Sequence, residues 1–334
     1  MSNKICTPLI ELIHREISEH GSISFARFMD LALYHPVYGY YRRGIDPFGR
    51  HGDFYTAEQL RPFGELVAAC VEQSGATEVL ELGAGRRDLR GPLARFQYRG
   101  IDWYNPLLPE RFSGFVVANE FFDALPVHLL GREGGAWFEM VVASEGEAFT
   151  IRKQELVVDE LREYARRYEP FVPCDAVLEA NIQMKTWIDT LARRLDDARV
   201  LVIDYGYSAQ ELPRLPNGTL LSYRKHTARV DVLQTPGERD ITCHVNFSEL
   251  LRVAEVNGLS VLFDGSLRSW ALSMWEEEIL QQRWSTADEQ WKLQWKQLVF
   301  GMGETFRVVL LATSASTKKH SAQRRERFAG SSLK

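Results

Sequence analysis

Two acid-bearing segments of this chain carry the side chains best suited to binding a charged or nucleotide-like ligand. In Val79-Leu-Glu-Leu-Gly-Ala-Gly85 an apolar run ends in two glycines. Glycine lacks a Cβ and lets backbone N–H groups approach a ligand, so Glu81, Gly83, Ala84 and Gly85 have the makings of a turn that cradles a cofactor. The same residues are compatible with an ordinary strand-to-helix turn. In the second segment the apolar run Phe115-Val-Val-Ala-Asn119 continues as Glu120-Phe-Phe-Asp123-Ala-Leu-Pro126. An amide and two carboxylates at a strand end could grip a cationic group or stabilise developing positive charge. The alternative is a helix start, with Asp123 as N-cap and Glu120 in solvent. Gly52-Asp53-Phe-Tyr-Thr56 adds a glycine turn with a carboxylate and a hydroxyl, and Asp204-Tyr-Gly206 repeats the strand-end acid. His226 and His244 stand singly, a pattern more often structural than catalytic.

These residues need strands ending on one side of a sheet. Glu78 to Leu82 is a short apolar run bounded by Gly83, and Phe115 to Asn119 and Val200 to Asp204 are further runs of the kind buried on both sheet faces, each ending in a polar residue; open parallel sheets bind ligands at their carboxyl ends. Helical spacing of apolar residues predicts helices after Thr7, after Ser24, over Glu65 to Ser74, Asp159 to Tyr168 and Asn181 to Leu195, and after Asn246. Trp137 to Val142 and Ala148 to Arg152 alternate as a hairpin, and the glycines from Gly131 to Gly135 read as turn punctuation. Ser260 to Phe263 and Thr305 to Leu311 read as further strands. Trp284, Trp291 and Trp295 are expected on one helical face, as core or subunit packing.

Composition narrows the classes. With 45% hydrophobic and 25% charged residues the 334-residue chain can bury a sizeable core, and its net charge of −5 argues against general nucleic-acid binding. Thr313 to Lys334 holds six Lys/Arg and one Glu and is expected to be a solvated basic tail. Four scattered cysteines suggest neither a disulfide framework nor a zinc site, no run has the length of a membrane span, and a cytoplasmic protein is expected.

Taken in order, Ile23 to Tyr34, Gly39-Tyr-Tyr41, Gly52 to Thr56, Glu81 to Gly85, Asn119 to Pro126, Asp204 to Gly206, Asp240 to Phe247 and Gly301-Met-Gly303 resemble the MidA-type S-adenosylmethionine-dependent methyltransferases over roughly Ile17 to Leu311. The resemblance implies an α/β fold, a class I methyltransferase (Rossmann-like) sheet with N-terminal and inserted helical additions. On this reading 1–74 is a helical segment with a cofactor-covering loop. Residues 75–312 form the core, with an insertion at about 127–198, and 313–334 form the tail. It implies a cofactor pocket lined by Glu81, Gly83, Ala84 and Gly85, covered by Gly52, Asp53 and Thr56, with Asn119, and with Glu120 and Asp123 as catalytic residues facing donor and acceptor. The family includes a mitochondrial complex I assembly factor that methylates an arginine of a core subunit. A protein substrate, such as a respiratory complex I subunit, is therefore implied, and the reaction needs no metal.

One departure matters. Only Arg86 to Phe112 separates the glycine turn from the Asn119 strand, too few residues for two complete crossovers. Aligned on the family, Asp88 to Phe96 resembles the helix after the second strand, and Tyr98 to Trp103 the strand after that. This predicts deletion of the third glycine, first helix, second strand and ribose-binding acid. It leaves two readings, an arginine methyltransferase or a family member impaired in catalysis that acts as a binding or assembly factor. A nicotinamide-dependent oxidoreductase fits poorly, since the full G-x-G-x-x-G is absent.

Overall fold

The apolar runs assemble into a mostly parallel sheet. The computed structural model describes residues 8–42, 56–103, 107–224 and 227–317, so Gly52, Asp53, His226 and the last seventeen residues of the basic segment lie outside the described part. The chain divides into two units. One comprises Thr56–Phe122, Lys185–Gly206 and the described residues from Glu249 on; the other comprises those up to Arg42, with Asp123–Met184 and Tyr207–Ser248. This partition is interleaved and does not follow the boundaries expected at residues 74, 127 and 198.

In the first unit the strands are β1 (Glu78–Leu82), β2 (Gln97–Ile101), β3 (Phe112–Asn119), β4 (Leu195–Tyr207), β5 (Ser260–Ser266) and β6 (Phe306–Ala312). Their order is β2-β1-β3-β4-β6-β5. The first four pair in parallel, while β6 runs antiparallel to both β4 and β5. Burial explains the unbroken apolar runs. Phe115 to Ala118 and Leu201 to Ile203 are inaccessible because central strands of such a sheet are covered on both faces.

The helix Arg61–Ser74 carries Pro62 in its first turn and stops at left-handed Gly75. Its Phe63, Leu66, Val67 and Val71 share a core with Val79, Leu89, Leu93 and Phe115. Gly64 permits a close approach there, because a Cβ would stand 2.4 Å from Cγ of Pro92. Trp291 and Trp295 stack in this core at 5.5 Å with Trp275 beside them, as the packing expectation required. Trp284 does not join them. It lies on a separate helix, Glu277–Thr286, and is partly exposed, because Ala287 and Asp288 end one helix and cap the next.

The segment after Gly85 corrects the expected deletion. Among the described residues Arg86 to Phe96 contains only turns and the short 3-10 helix Asp88–Arg90, so the crossover helix is indeed missing. The next strand nevertheless pairs directly with β1, Glu81 opposite Gly100 and Leu82 opposite Ile101. In the doubly wound order 3-2-1-4-5 this slot belongs to the second strand. The position expected to be lost is therefore filled by β2, and it is the outermost strand that has no counterpart among the described residues. Because β1 and β2 are parallel, Gly83 to Phe96 has to return along the strand length, and it does so as an irregular crossover whose Leu89 and Leu93 are buried in the core of this unit.

The second unit is built on helices Pro8–His20 and Phe25–Tyr34, the latter capped by Ser24, whose Oγ accepts from Arg27 N at 3.1 Å. They share a core with an antiparallel sheet of His128–Glu133, Ala136–Glu145, Ala148–Glu155 and Val177–Ala180. Gly131 is a strand residue facing Phe138, not a turn; a Cβ there would meet the Phe138 ring at 2.3 Å. Only Gly134 and Gly135, both left-handed, make the turn. No helix among the described residues is long and apolar enough to cross a membrane. Finally, the basic segment begins later than expected. Thr313 exchanges hydrogen bonds with Ala198, and Ser316 is buried and accepts from Arg199, so 313–317 belong to the sheet unit.

Candidate active site

The parallel register sets the carboxyl ends of β1, β2 and β3 side by side, and Glu81, Gly83 to Gly85, Asn119 and Glu120 stand at or just beyond the ends of β1 and β3. Gly83 and Gly85 are left-handed, and both Gly83 N and Ala84 N donate to the carbonyl of Ile101. Close packing requires glycine at two points. A Cβ on Gly83 would lie 2.8 Å from the Phe121 ring, and one on Gly100 would lie 2.5 Å from Cβ of Ala84. Gly85 N donates to Oδ1 of Asp102 at 3.1 Å, so the acid that follows β2 is tied to the glycine turn. That position, beyond the carboxyl end of the strand beside β1, is where a ribose-binding acid stands in dinucleotide folds.

Glu81 is buried, with one oxygen bonded by the Tyr98 hydroxyl and the other, Oε1, without a partner among the described residues. Burial pushes its carboxyl up to about 7; the Tyr98 hydroxyl opposes that shift, and the Asp102 and Asp88 charges add to it. Asn119 is also buried. Its Nδ2 donates to Glu58 at 3.0 Å and to Glu120 at 3.3 Å, whereas its Oδ1 has no partner among the described residues. Buried polar atoms are mostly satisfied, and these two acceptors at adjacent strand ends are of a kind that N–H or O–H donors of a ligand could meet.

Glu120 has a left-handed backbone with φ +47, unusual for a non-glycine residue, and its Oε1 accepts from Ala57 N at 3.2 Å. The strain is held in place by two anchors. Glu120 N donates to the Ile203 carbonyl, and Phe122 N donates to Asp204 Oδ2, while the other Asp204 oxygen accepts from Tyr205 N. Asp204 is thus a fully buried brace for the loop after β3.

Thr56 is buried and opens the 3-10 turn Ala57–Gln59, which delivers Glu58. The Glu58 carboxyl is held well above the usual range by burial first and then by the Glu81 and Glu120 charges. Sequence reading passed over Glu58. Its signal was faint, one acid two residues beyond a motif, and only the fold brings it to Asn119.

In the other unit Asp123 is buried, and its backbone carbonyl accepts from Cys243 N. Burial, then the charges of Asp240 and Asp123, raise the hydroxyls of Tyr41 and Tyr223, and Tyr41 donates to Asp240 at 2.8 Å. Asp123 is therefore one of two buried acids among tyrosines, and not the cap of a solvated helix start. His244 is displaced downward by burial alone, in keeping with a packed residue.

Comparison with known proteins agrees with this geometry. Residues 88–263, more than half of the chain, match a family of S-adenosyl-L-methionine-dependent methyltransferases. A crystal structure of a Burkholderia thailandensis protein described as a methyl transferase and bound to S-adenosyl-homocysteine superposes with TM-score 0.81 at 26% identity, covering 93% of this chain and 95% of that one. The mitochondrial protein arginine methyltransferase NDUFAF7 of Danio rerio is 26% identical, covering 76% of this chain and 73% of its own. Its human counterpart is 27% identical, with 75% and 69% covered. The expected cytoplasmic location is overturned by these relatives, which are named as mitochondrial. Scattered cysteines speak to redox conditions, which do not distinguish one reducing compartment from another.

Proposed function

The chain belongs to this family of S-adenosylmethionine-dependent methyltransferases, and we propose that it transfers the methyl group to an arginine of a protein substrate, such as a respiratory complex I subunit. The observation that carries this reading is the set of carboxylates around Asn119, with the orphaned acceptors of Glu81 and Asn119 at the end of a glycine-turn strand. Those acceptors, the glycine turn and Asp102 suit the ammonium and hydroxyl donors of S-adenosylmethionine. Gly83, Ala84 and Gly85 line that site in the proposal, with Thr56 in the turn that precedes Glu58 and with Gly52 and Asp53 ahead of it in sequence. When bound, the cofactor supplies an electrophilic methyl group on a sulfonium.

The residues of the chain must then deal with the acceptor. An arginine guanidinium stays protonated at neutral pH and is a poor nucleophile. A carboxylate paired with its far N–H groups draws positive charge away from the attacking nitrogen and fixes its direction of approach. Glu120 and, independently of it, Asp123 are proposed for this role. Names of relatives such as protein arginine methyltransferase NDUFAF7 support the substrate class.

The test combines binding and transfer. Calorimetry with S-adenosyl-homocysteine should detect binding to the wild-type chain, and labelled cofactor should transfer methyl to arginine in the corresponding complex I subunit. Glu120→Ala and Asp123→Ala should each lower transfer at least ~100-fold, and Asp123→Ala, which leaves the Asn119 anchors in place, should change affinity for S-adenosyl-homocysteine less than about threefold. Unchanged transfer in both variants would remove the catalytic assignment. Binding by the wild type with no transfer to any arginine substrate would favour the assembly-factor reading, for which the missing crossover helix is the structural argument.

A further inference from the structure

An asparagine side chain has two N–H donors on its nitrogen and one acceptor oxygen, so which way the amide faces decides what it offers a ligand. At Asn119 the neighbours decide. Nδ2 faces Oε1 of Glu58 at 3.0 Å and Oε1 of Glu120 at 3.3 Å, an arrangement in which the reversed amide would set its oxygen against two carboxyl oxygens, one of them already accepting from Ala57 N. Glu120 is the weaker anchor, since its Oε1 also receives Ala57 N. Glu58 makes the shorter bond, and it comes from the 3-10 turn that Glu120 holds through that same Ala57 N. With the nitrogen committed, the buried Oδ1 is left without a partner among the described residues, as is Glu81 Oε1.

We propose that Glu58 is a positioning residue of the cofactor site: it fixes the Asn119 amide so that Oδ1 is presented, like Glu81 Oε1, as an acceptor to the N–H and O–H donors of S-adenosylmethionine. This rests on the cofactor reading above. Glu58 itself acts through Asn119. A glutamine at 58 still offers a carbonyl oxygen to Asn119 Nδ2, whereas alanine or leucine does not. Replacement of the acid therefore separates its acceptor role from its charge.

Calorimetric titration of the full chain with S-adenosyl-homocysteine, together with melting curves without ligand, tests this. Glu58→Ala should weaken binding about tenfold, the scale of one hydrogen bond. Glu58→Leu, which fills the volume, should lose as much, and Glu58→Gln should stay within about twofold of wild type. Asn119→Ala should lose about the same factor, and Glu58→Ala combined with Asn119→Ala should lose no more than Asn119→Ala alone, because both act through one acceptor. The unliganded melting temperature of Glu58→Gln should not fall, since a crowded acid has been neutralised. Wild-type binding with Glu58→Ala and Glu58→Leu unchanged, or losses that add in the double variant, would overturn the proposal alone. Failure of the wild-type chain to bind S-adenosyl-homocysteine would overturn the cofactor reading and the proposal with it.

Discussion

Replacing Glu81 by glutamine should stabilise the chain, and by an amount that grows with pH. Glu81 is 1% exposed and its carboxyl is raised from 4.5 to about 7, chiefly by burial. Between these values the folded chain keeps a proton that the unfolded chain has released. Folding is thus opposed progressively as pH rises from about 4.5 through 7, and the penalty is complete above that. A difference of this size corresponds to about 3 kcal/mol at pH 8, little of it present at pH 4.5 and none well below. Glutamine keeps the shape and can still accept from Tyr98, so Glu81→Gln removes mainly the titration. Urea unfolding midpoints of wild type and variant, measured from pH 4.5 to 8.5, should start close together and diverge in favour of the variant. A difference independent of pH, or a variant that becomes less stable than wild type at pH 8, would refute the reasoning.

The same titration predicts that S-adenosyl-homocysteine, by donating to Glu81, expels a proton near neutral pH. Binding heats at pH 6.5 should then vary with the ionisation enthalpy of the buffer for wild type and not for Glu81→Gln. Gly100→Val should push the Ala84 turn aside, because even a Cβ would lie 2.5 Å from Cβ of Ala84. Overpacking of this kind costs about 1–3 kcal/mol, which a melting curve should register along with weakened binding. Asp102→Ala frees Gly85 N and should weaken S-adenosyl-homocysteine by about tenfold, read by calorimetry.

Much of the sheet was legible because buried parallel strands leave little choice of residue. Phe115 to Ala118 and Val200 to Ile203 are apolar without interruption and Val79 to Leu82 is broken only by Glu81, and each reading matched an observed strand. His128–Glu133 was missed since Gly131 mimics a turn, although it is glycine to admit the Phe138 ring from the neighbouring strand. Long-range placement was the other gap. The strand slot taken by Gln97–Ile101 depends on which edge β1 leaves open, and no local pattern reports that. Glu81, Asn119 and Glu120 were found because they end recognisable strands. Glu58 and Tyr98 reach the same acids from a 3-10 turn and an edge strand, where periodicity carries no such mark.

The shortened passage from β1 to β2 also changes the order in which the sheet can be assembled. Glu78 pairs with Gln97, only nineteen positions along, whereas the central pair joins Val116 to Val200, eighty-four positions apart. Loop-closure entropy favours the shorter connection by about 1 kcal/mol. The glycine turn therefore sits inside the most local parallel pairing of this sheet, which can close before its centre does. Without a further strand beyond it among the described residues, β2 stays an edge, and the basic Arg99 on that edge is the kind of residue that discourages pairing with another chain.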